Sequence, residues 1–295
     1  MTEPLLQRYR DTRAQSLAFC EPLANEDYGL QAEDFTSPPK WHLAHVSWFF
    51  EAFLLKPYLP GYKPLDPAYD YLFNSYYETH GTPFPRSQRG LISRPGVEEV
   101  YRFRQHVDRA MGDLLGNPPQ QHAGEIMRRV ELGLQHEQQH QELLLMDIKH
   151  ILAQNPLHPV YRSDLKPAPA LHNDRVRWHS YAGGVRHIGH AGSGFAFDCE
   201  TPRHRQFVED FQLADRLVSN REYLSFIADG GYARSELWLS DGWAHIRQHG
   251  WNAPLYWHRE DGGWVDRSNP GAHDLLDGFE GDVHQLMARF DGEAR

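Results

Sequence analysis

The stretch Leu134-Gln-His-Glu-Gln-Gln-His-Gln-Glu142 lies inside a run, from about Gln121 to Gln154, whose apolar residues recur at helical intervals. Asn117-Pro118-Pro119 before it and Asn155-Pro156 after it bound a single helix. Residues four apart on a helix are stacked neighbours, so His136 and His140 leave from one face and can share one ion. At 3.6 residues per turn, Glu137 stands about 100° from His136 and Glu142 about 200° from His140, so neither carboxylate points readily at that ion. His136-Glu137-x-x-His140 therefore matches the zincin HExxH pattern only in its letters. Glu142 reads as a residue behind the ligands or as a salt-bridge partner. Two imidazoles make half a metal site, and the remainder must come from another element.

Working outward, the same periodicity marks Pro4 to about Leu23, Trp41–Leu55 and Val97–Leu115. Ser37-Pro38-Pro39 signals the start of the second of these, and Lys56-Pro57 its stop. Four helices of bundle length result. The second carries Trp41-His-Leu-Ala-His45, in which His42 and His45 are three apart and share a face, flanked by Trp48, Phe49 and Phe50. Bundle metal sites are assembled from inward-facing side chains on facing helices, so this helix can supply the third imidazole. Spacing alone leaves both His42 and His45 open. Three nitrogen ligands keep coordination positions free, which suits a catalytic Fe(II) or Zn(II) and not calcium or magnesium. The segment from Gly61 to Pro95, rich in Pro, Gly, Asn and Tyr, reads as an ordered loop.

The composition agrees with a globular chain, since 40% hydrophobic and 13% aromatic residues supply the apolar surface that disordered chains lack. At about 100–200 residues per domain, 295 residues predict two domains. The net charge of −10, with no Lys/Arg run, opposes nucleic acid as a partner. No signal-peptide core opens the chain, and no run approaches the ~18–20 apolar residues of a membrane span, so a cytoplasmic protein without a membrane partner is expected. Cys20 and Cys199 fall in different halves and form no CxxC, so any metal takes nitrogen or oxygen. After Pro159 the texture changes. Lys166-Pro-Ala-Pro169 reads as a linker, Val176–Tyr181 and Val185–Ile188 as short strands, and Asn220–Asp229 as a helix capped by Ser219 or Asn220. The predicted organisation is a four-helix bundle over residues 1–165 carrying the metal site, then an irregular α+β domain over residues 166–295.

Several stretches resemble the sulfoxide synthases of ergothioneine biosynthesis, the EgtB-like non-haem iron enzymes or hercynine oxygenase family. They are Lys40-Trp-His-Leu-Ala-His-Val-Ser-Trp-Phe-Phe-Glu51, Leu72-Phe-Asn-Ser-Tyr-Tyr-Glu78, Arg89-Gly-Leu-Ile-Ser-Arg-Pro95 and His136-Glu-Gln-Gln-His-Gln-Glu-Leu-Leu-Leu145. In the second half they are Phe195-Ala-Phe-Asp198, Phe226-Ile-Ala-Asp-Gly-Gly-Tyr232, Leu237-Trp-Leu-Ser-Asp-Gly-Trp243 and Ala253-Pro-Leu-Tyr-Trp257. The resemblance covers roughly residues 1–265. It implies an α+β chain, with a DinB-like four-helix bundle followed by an incomplete domain similar to formylglycine-generating enzyme and C-type lectins.

By this resemblance Fe(II) is held by His45, His136 and His140, and His42 is spare. Gln139 is implied to hydrogen-bond the hercynine imidazole, for which an amide suits because it both donates and accepts. Arg86 and Arg89 match an Arg-x-x-Arg pair that binds the carboxylates of the thiol substrate, cysteine or γ-glutamylcysteine, where guanidinium forks give bidentate recognition. The implied activity uses dioxygen to join the thiol to C2 of hercynine as a sulfoxide. A selenoneine-type or histidyl-cysteine-type synthase on the same scaffold, or an iron-binding protein without turnover, is the alternative. Two departures stand out. Cys199 occupies a position where the family usually has Asn, and Ser268–Arg295 resembles nothing in the family. The usual tyrosine proton donor belongs to segments beyond this point of resemblance, so no catalytic residue is assigned, and a truncated or altered C-terminus with weakened C–S bond formation is expected. In that tail, Leu275, Leu276, Phe279, Val283, Leu286, Met287 and Phe290 are spaced as an amphipathic helix.

Overall fold

Four long helices lie in the first part of the chain: α1 (Thr2–Cys20), α2 (Pro39–Phe50), α3 (Val97–Gly116) and α4 (Ala123–Ala153). They belong to a computed structural model that describes residues 2–75, 81–164, 175–260, 263–266 and 273–274. The chain divides into two compact units, Met1–Arg162 and Ser163–Arg295.

In the first unit α2 is the central element. Pro39 opens it at the first helical position, where the missing amide would have no helical partner, and every residue from Pro39 to Phe50 is buried. A helix buried all round must be covered on every face, and side chains of α1, α3, α4 and the short helix at Tyr69–Phe73 are among those that cover this one. Trp48, Phe49, Phe50, Phe103, Met111, Ile126, Val130 and Leu134 are among the residues that form the core between them. Gly133 lets α4 approach α2 closely, because a Cβ there would stand 2.6 Å from the Phe50 ring. That approach places the His136–His140 face of α4 against α2.

The second helix does not run as one α-helix to Leu55. It passes into a π-helical turn over Glu51–Leu55, and helical backbone continues over Lys56–Tyr58, so Pro57 lies within a helical turn and not beyond the end. The buried Glu51 carboxylate accepts from the Tyr62 hydroxyl, and burial raises its pKa. The first helix ends at Cys20, short of Leu23. The expected loop is ordered where it is described, with a short helix at Tyr69–Phe73 and a 3₁₀ segment at Arg86–Leu91. Two tryptophans of α2 pin the short helix: Trp41 Nε1 donates to Leu72 O at 3.0 Å and Trp48 Nε1 to Asp70 Oδ1 at 2.9 Å. Tyr76, Tyr77 and Glu78 lie outside the described residues.

The second unit is built from short antiparallel pairings, as expected of an α+β unit. Strand β1 (Trp178–Tyr181) follows the sequence reading of Val176–Tyr181, and β2 (Gly184–Ile188) that of Val185–Ile188. β3 (His204–Val208) pairs with β2, and β4 (Phe211–Ala214) pairs with β1. Helix α5 (Asn220–Ala228) begins at Ser219, whose hydroxyl accepts from Glu222 N while the Glu222 carboxylate accepts from Ser219 N. The arrangement also includes α6 (Ser240–His249) and a sheet of β5 (Trp257–Glu260), β6 (Gly263–Asp266) and β7 (His273–Asp274). Cys20 is buried, Cys199 is exposed, and both are free thiols. The Lys166–Pro169 linker and the amphipathic segment from Leu275 to Phe290 lie outside the described residues.

Candidate metal centre

His45 projects from α2 toward His136 and His140, which leave α4 one turn apart. One nitrogen from each of the three rings falls within 4.8 Å of the others, and no other group of His, Cys, Asp or Glu among the described residues does this in threes. His45 Nε2 faces His136 Nε2 at 3.2 Å. Two nitrogens each about 2.0–2.1 Å from one metal, at an angle between a right angle and the tetrahedral angle, would be separated by about that distance. His45 Nδ1 lies 2.5 Å from Phe73 O and must donate to it, since a carbonyl can only accept. The pinned Tyr69–Phe73 helix therefore orients the ring. His136 Nδ1 is buried with no hydrogen-bond partner among the described residues.

Burial lowers all three imidazoles from the ordinary histidine value, His136 to about 4 and His45 and His140 well below that ordinary value, with the neighbouring imidazoles adding to the effect on the latter two. At neutral pH each ring is neutral and offers a lone pair. Imidazole suits iron, zinc, copper and nickel, and three such ligands leave room for substrate, so the donor set fits a catalytic transition metal. These shifts carry a stability consequence. An unfolded chain takes up protons on these residues as pH falls below about 6.5, while the folded metal-free chain does not until much lower. The stabilisation is present above that value and is lost as pH falls toward 4, the value for His136. The urea midpoint of metal-free protein should drop between pH 7 and pH 5; an equal midpoint at both would contradict the burial of neutral rings.

His42, the spare histidine, lies against the trio without joining it. Its Nδ1 is 2.9 Å from His140 Nδ1 and its Nε2 2.9 Å from Asp147 Oδ2, an oxygen that also accepts from Ser37 N at 2.8 Å. Sequence reasoning missed Asp147, although it stands seven residues after His140, two turns along the same face.

Glu137 turns away from the trio. It is fully buried between Arg104 Nη2 at 2.6 Å, Arg13 Nη1 at 3.0 Å and Ser16 Oγ at 2.7 Å. Burial alone would raise its pKa, but Arg104 and Arg13 outweigh burial and hold the carboxylate at about 2. Arg13 also reaches Asp108 at 2.7 Å and Ser47 Oγ at 2.9 Å, tying α1, α2, α3 and α4 into one polar cluster beneath the site. Glu137 is structural, and the zincin reading fails on geometry as it did on angle.

A cavity of about 450 Å³ opens over the three histidines. Gln139, Arg86 and Arg89 all line it, as do Trp41, Ser75, Glu142 and Met146. Gln139 and Arg86 are exposed side chains at its edge. Arg89 is buried, its guanidinium 3.4 Å from the centre of the Trp41 ring and bonded to Ser37 Oγ at 2.9 Å and Ser75 Oγ at 3.2 Å. Glu142 is exposed on the cavity wall.

Residues 8–144, which include α2, α3 and the His136–His140 turn, match the DinB superfamily. Over 235 residues, 77% of this chain, the sequence is 28% identical to the hercynine oxygenase of Mycolicibacterium thermoresistibile. The hercynine oxygenase of Mycobacterium tuberculosis is 29% identical over 230 residues, and that of Mycolicibacterium smegmatis 27% identical over 237. The chain is similar to hercynine oxygenases. It combines a DinB-like helical unit with a sheet-containing α+β unit, and the aligned share extends beyond the DinB match into the second of these. The chain spans about half the length of the curated relatives it matches, 49% of the first and 51% of the other two. No helix among its described residues is long and apolar enough to cross a membrane.

Proposed function

We propose that the protein is a non-haem Fe(II)- and O2-dependent sulfoxide synthase that joins a cysteine-type thiol to C2 of the hercynine imidazole, in the cytoplasm, as a step of ergothioneine biosynthesis. The observation that carries this reading is the placement of three neutral imidazoles at the floor of a cavity whose wall holds Gln139, Arg86 and Arg89. The reaction balances: the S–H and C2–H bonds break, one C–S bond forms, and dioxygen accepts four electrons, leaving one oxygen on sulfur and the other as water. Ferrous iron held by His45, His136 and His140 would supply dioxygen activation and a position for the thiolate.

The remaining work belongs to side chains. Gln139, one residue before His140, would meet the hercynine imidazole with its amide, which can either accept the ring N–H or donate to the lone pair of the other ring nitrogen. Arg86 and Arg89 are placed to take the carboxylates of cysteine or γ-glutamylcysteine, one guanidinium at the exposed rim and the other fixed on Trp41. The fixed guanidinium pays little ordering entropy on binding.

The direct test loads the protein with Fe(II) and supplies oxygen, hercynine and either thiol, with products read by mass spectrometry. Hercynine sulfoxide of the supplied thiol is expected in low yield beside oxidised thiol, in keeping with the weakened C–S bond formation expected from the sequence; no sulfoxide at all would overturn the synthase reading. Gln139→Leu should leave iron content intact and weaken hercynine binding by about 5- to 10-fold, the loss of one net hydrogen bond of about 1–1.5 kcal/mol. An unchanged hercynine dissociation constant in calorimetry would remove Gln139 from the substrate site, and lost iron would make it a support for the ligands.

A further inference from the structure

We infer that Asp147 and His42 form a positioning relay that fixes which nitrogen of His140 is free to bind a metal. The relay rests on the metal-site reading above, and its chain of hydrogen bonds admits one assignment of protons. Ser37 N can only donate, so Asp147 Oδ2 is an acceptor at 2.8 Å. His42 Nε2 stands 2.9 Å from that same oxygen and must therefore carry the proton. A neutral imidazole has one donor and one acceptor nitrogen, which makes His42 Nδ1 the acceptor. His140 Nδ1, 2.9 Å away, must then donate to it. Only Nε2 of His140 keeps a lone pair, and the His140 ring lies 4.6 Å from the His45 ring and 4.7 Å from the His136 ring, centre to centre.

The three candidate ligands are thus held by different devices. His45 is fixed by the Phe73 carbonyl, His140 by a carboxylate acting through a second imidazole, and His136 Nδ1 is buried with no partner among the described residues. A ring whose far nitrogen is engaged presents one tautomer and one orientation, which raises its affinity for a metal; outer partners of this kind are worth about 10- to 100-fold. Asp147 touches no candidate ligand. Its effect must pass through His42, so His42 matters as a hydrogen-bond acceptor and not as bulk.

Two measurements on the full chain test this. In metal-free protein with ¹⁵N-labelled histidine, His140 should show a protonated Nδ1 and an unprotonated Nε2; a proton on Nε2 would overturn the relay whatever the metal data say. In Co(II) titrations followed by visible absorption, His42→Phe and Asp147→Leu should each weaken binding about 10- to 100-fold, whereas His42→Gln, whose amide can donate to Asp147 and accept from His140, should recover most of the loss. His42→Phe binding Co(II) as tightly as the wild type, or His42→Gln failing as badly as His42→Phe, would overturn it. If wild-type protein with the expected tautomer bound no Co(II), the metal reading would fall while the proton assignment stood.

Discussion

Glu137→Ala is expected to destabilise the helical unit by about 3–5 kcal/mol, the usual cost of removing one partner from a buried ion pair. The size follows from what remains. Arg13 and Arg104 are 3% and 1% exposed, and both would keep their charge with no carboxylate between them. Asp108 would still neutralise part of Arg13 at 2.7 Å, but Arg104 would be left with backbone carbonyls, Arg13 O at 3.0 Å and Leu43 O at 3.4 Å. Against a total stability of about 5–15 kcal/mol for a domain, such a loss approaches unfolding. Urea denaturation followed by the helical circular-dichroism signal checks it, and a loss below about 1 kcal/mol, the range of an ordinary surface change, would mean the network carries no such strain. Glu137→Gln should cost less, since the amide oxygen can still accept from Arg104. The pH dependence has a definite sign. Because the folded carboxylate sits at about 2, its contribution is complete above the unfolded value near 4.5 and is lost as pH falls through 2.

This network also marks how far the sequence could be read. The letters His136-Glu137-x-x-His140 invite a catalytic glutamate, and the helical angle alone was enough to decline it. What the angle could not supply was a destination. Arg13, Ser16 and Arg104 come from α1 and α3, and no local pattern connects them to residue 137. The helices themselves were legible because their ends carry prolines and their faces are apolar at 3.6-residue spacing, so α3 and α4 fell within a residue or two of expectation.

The π-helical turn at Glu51–Leu55 was not legible, since its sequence, Glu-Ala-Phe-Leu-Leu, carries the same apolar texture as an α-helix. Helix α6 was missed for a different reason. Only Ile246 is buried along it, so its apolar stripe is faint, although Arg247 and His249 in the last turn and Gly250 in the left-handed region after it form a recognisable stop. At the site, spacing left His42 and His45 equivalent. The structure separates them by what stands behind each ring: a carbonyl from the short helix at Tyr69–Phe73 behind His45, a carboxylate from the far end of α4 behind His42. Neither partner lies close in sequence to the histidine it meets.

Single substitutions of the three grouped histidines are therefore expected to have larger effects on metal content than any other change in the chain. His45→Ala, His136→Ala and His140→Ala each leave two imidazoles, and in each case the missing nitrogen is replaced by an apolar void facing the cavity. The loss in affinity for Fe(II) should exceed the roughly 100-fold that marks the upper end for outer partners, enough to take protein purified with one iron per chain to nearly none. His42→Ala should fall short of this, because His42 stands outside the group of three and acts through His140. The ordering is the informative quantity. Two of the three candidate ligands lie on one helix and would keep their mutual spacing in any folded chain, whereas His45 depends on the packing of α2 against α4 through Gly133 and on the carbonyl of Phe73. Metal analysis by mass spectrometry, with circular dichroism to confirm that each variant keeps its helices, decides the matter. Stoichiometric iron in folded His136→Ala and His140→Ala would remove the metal centre from this face of α4, and a His42→Ala variant emptier than His45→Ala would exchange the roles of the two histidines on α2.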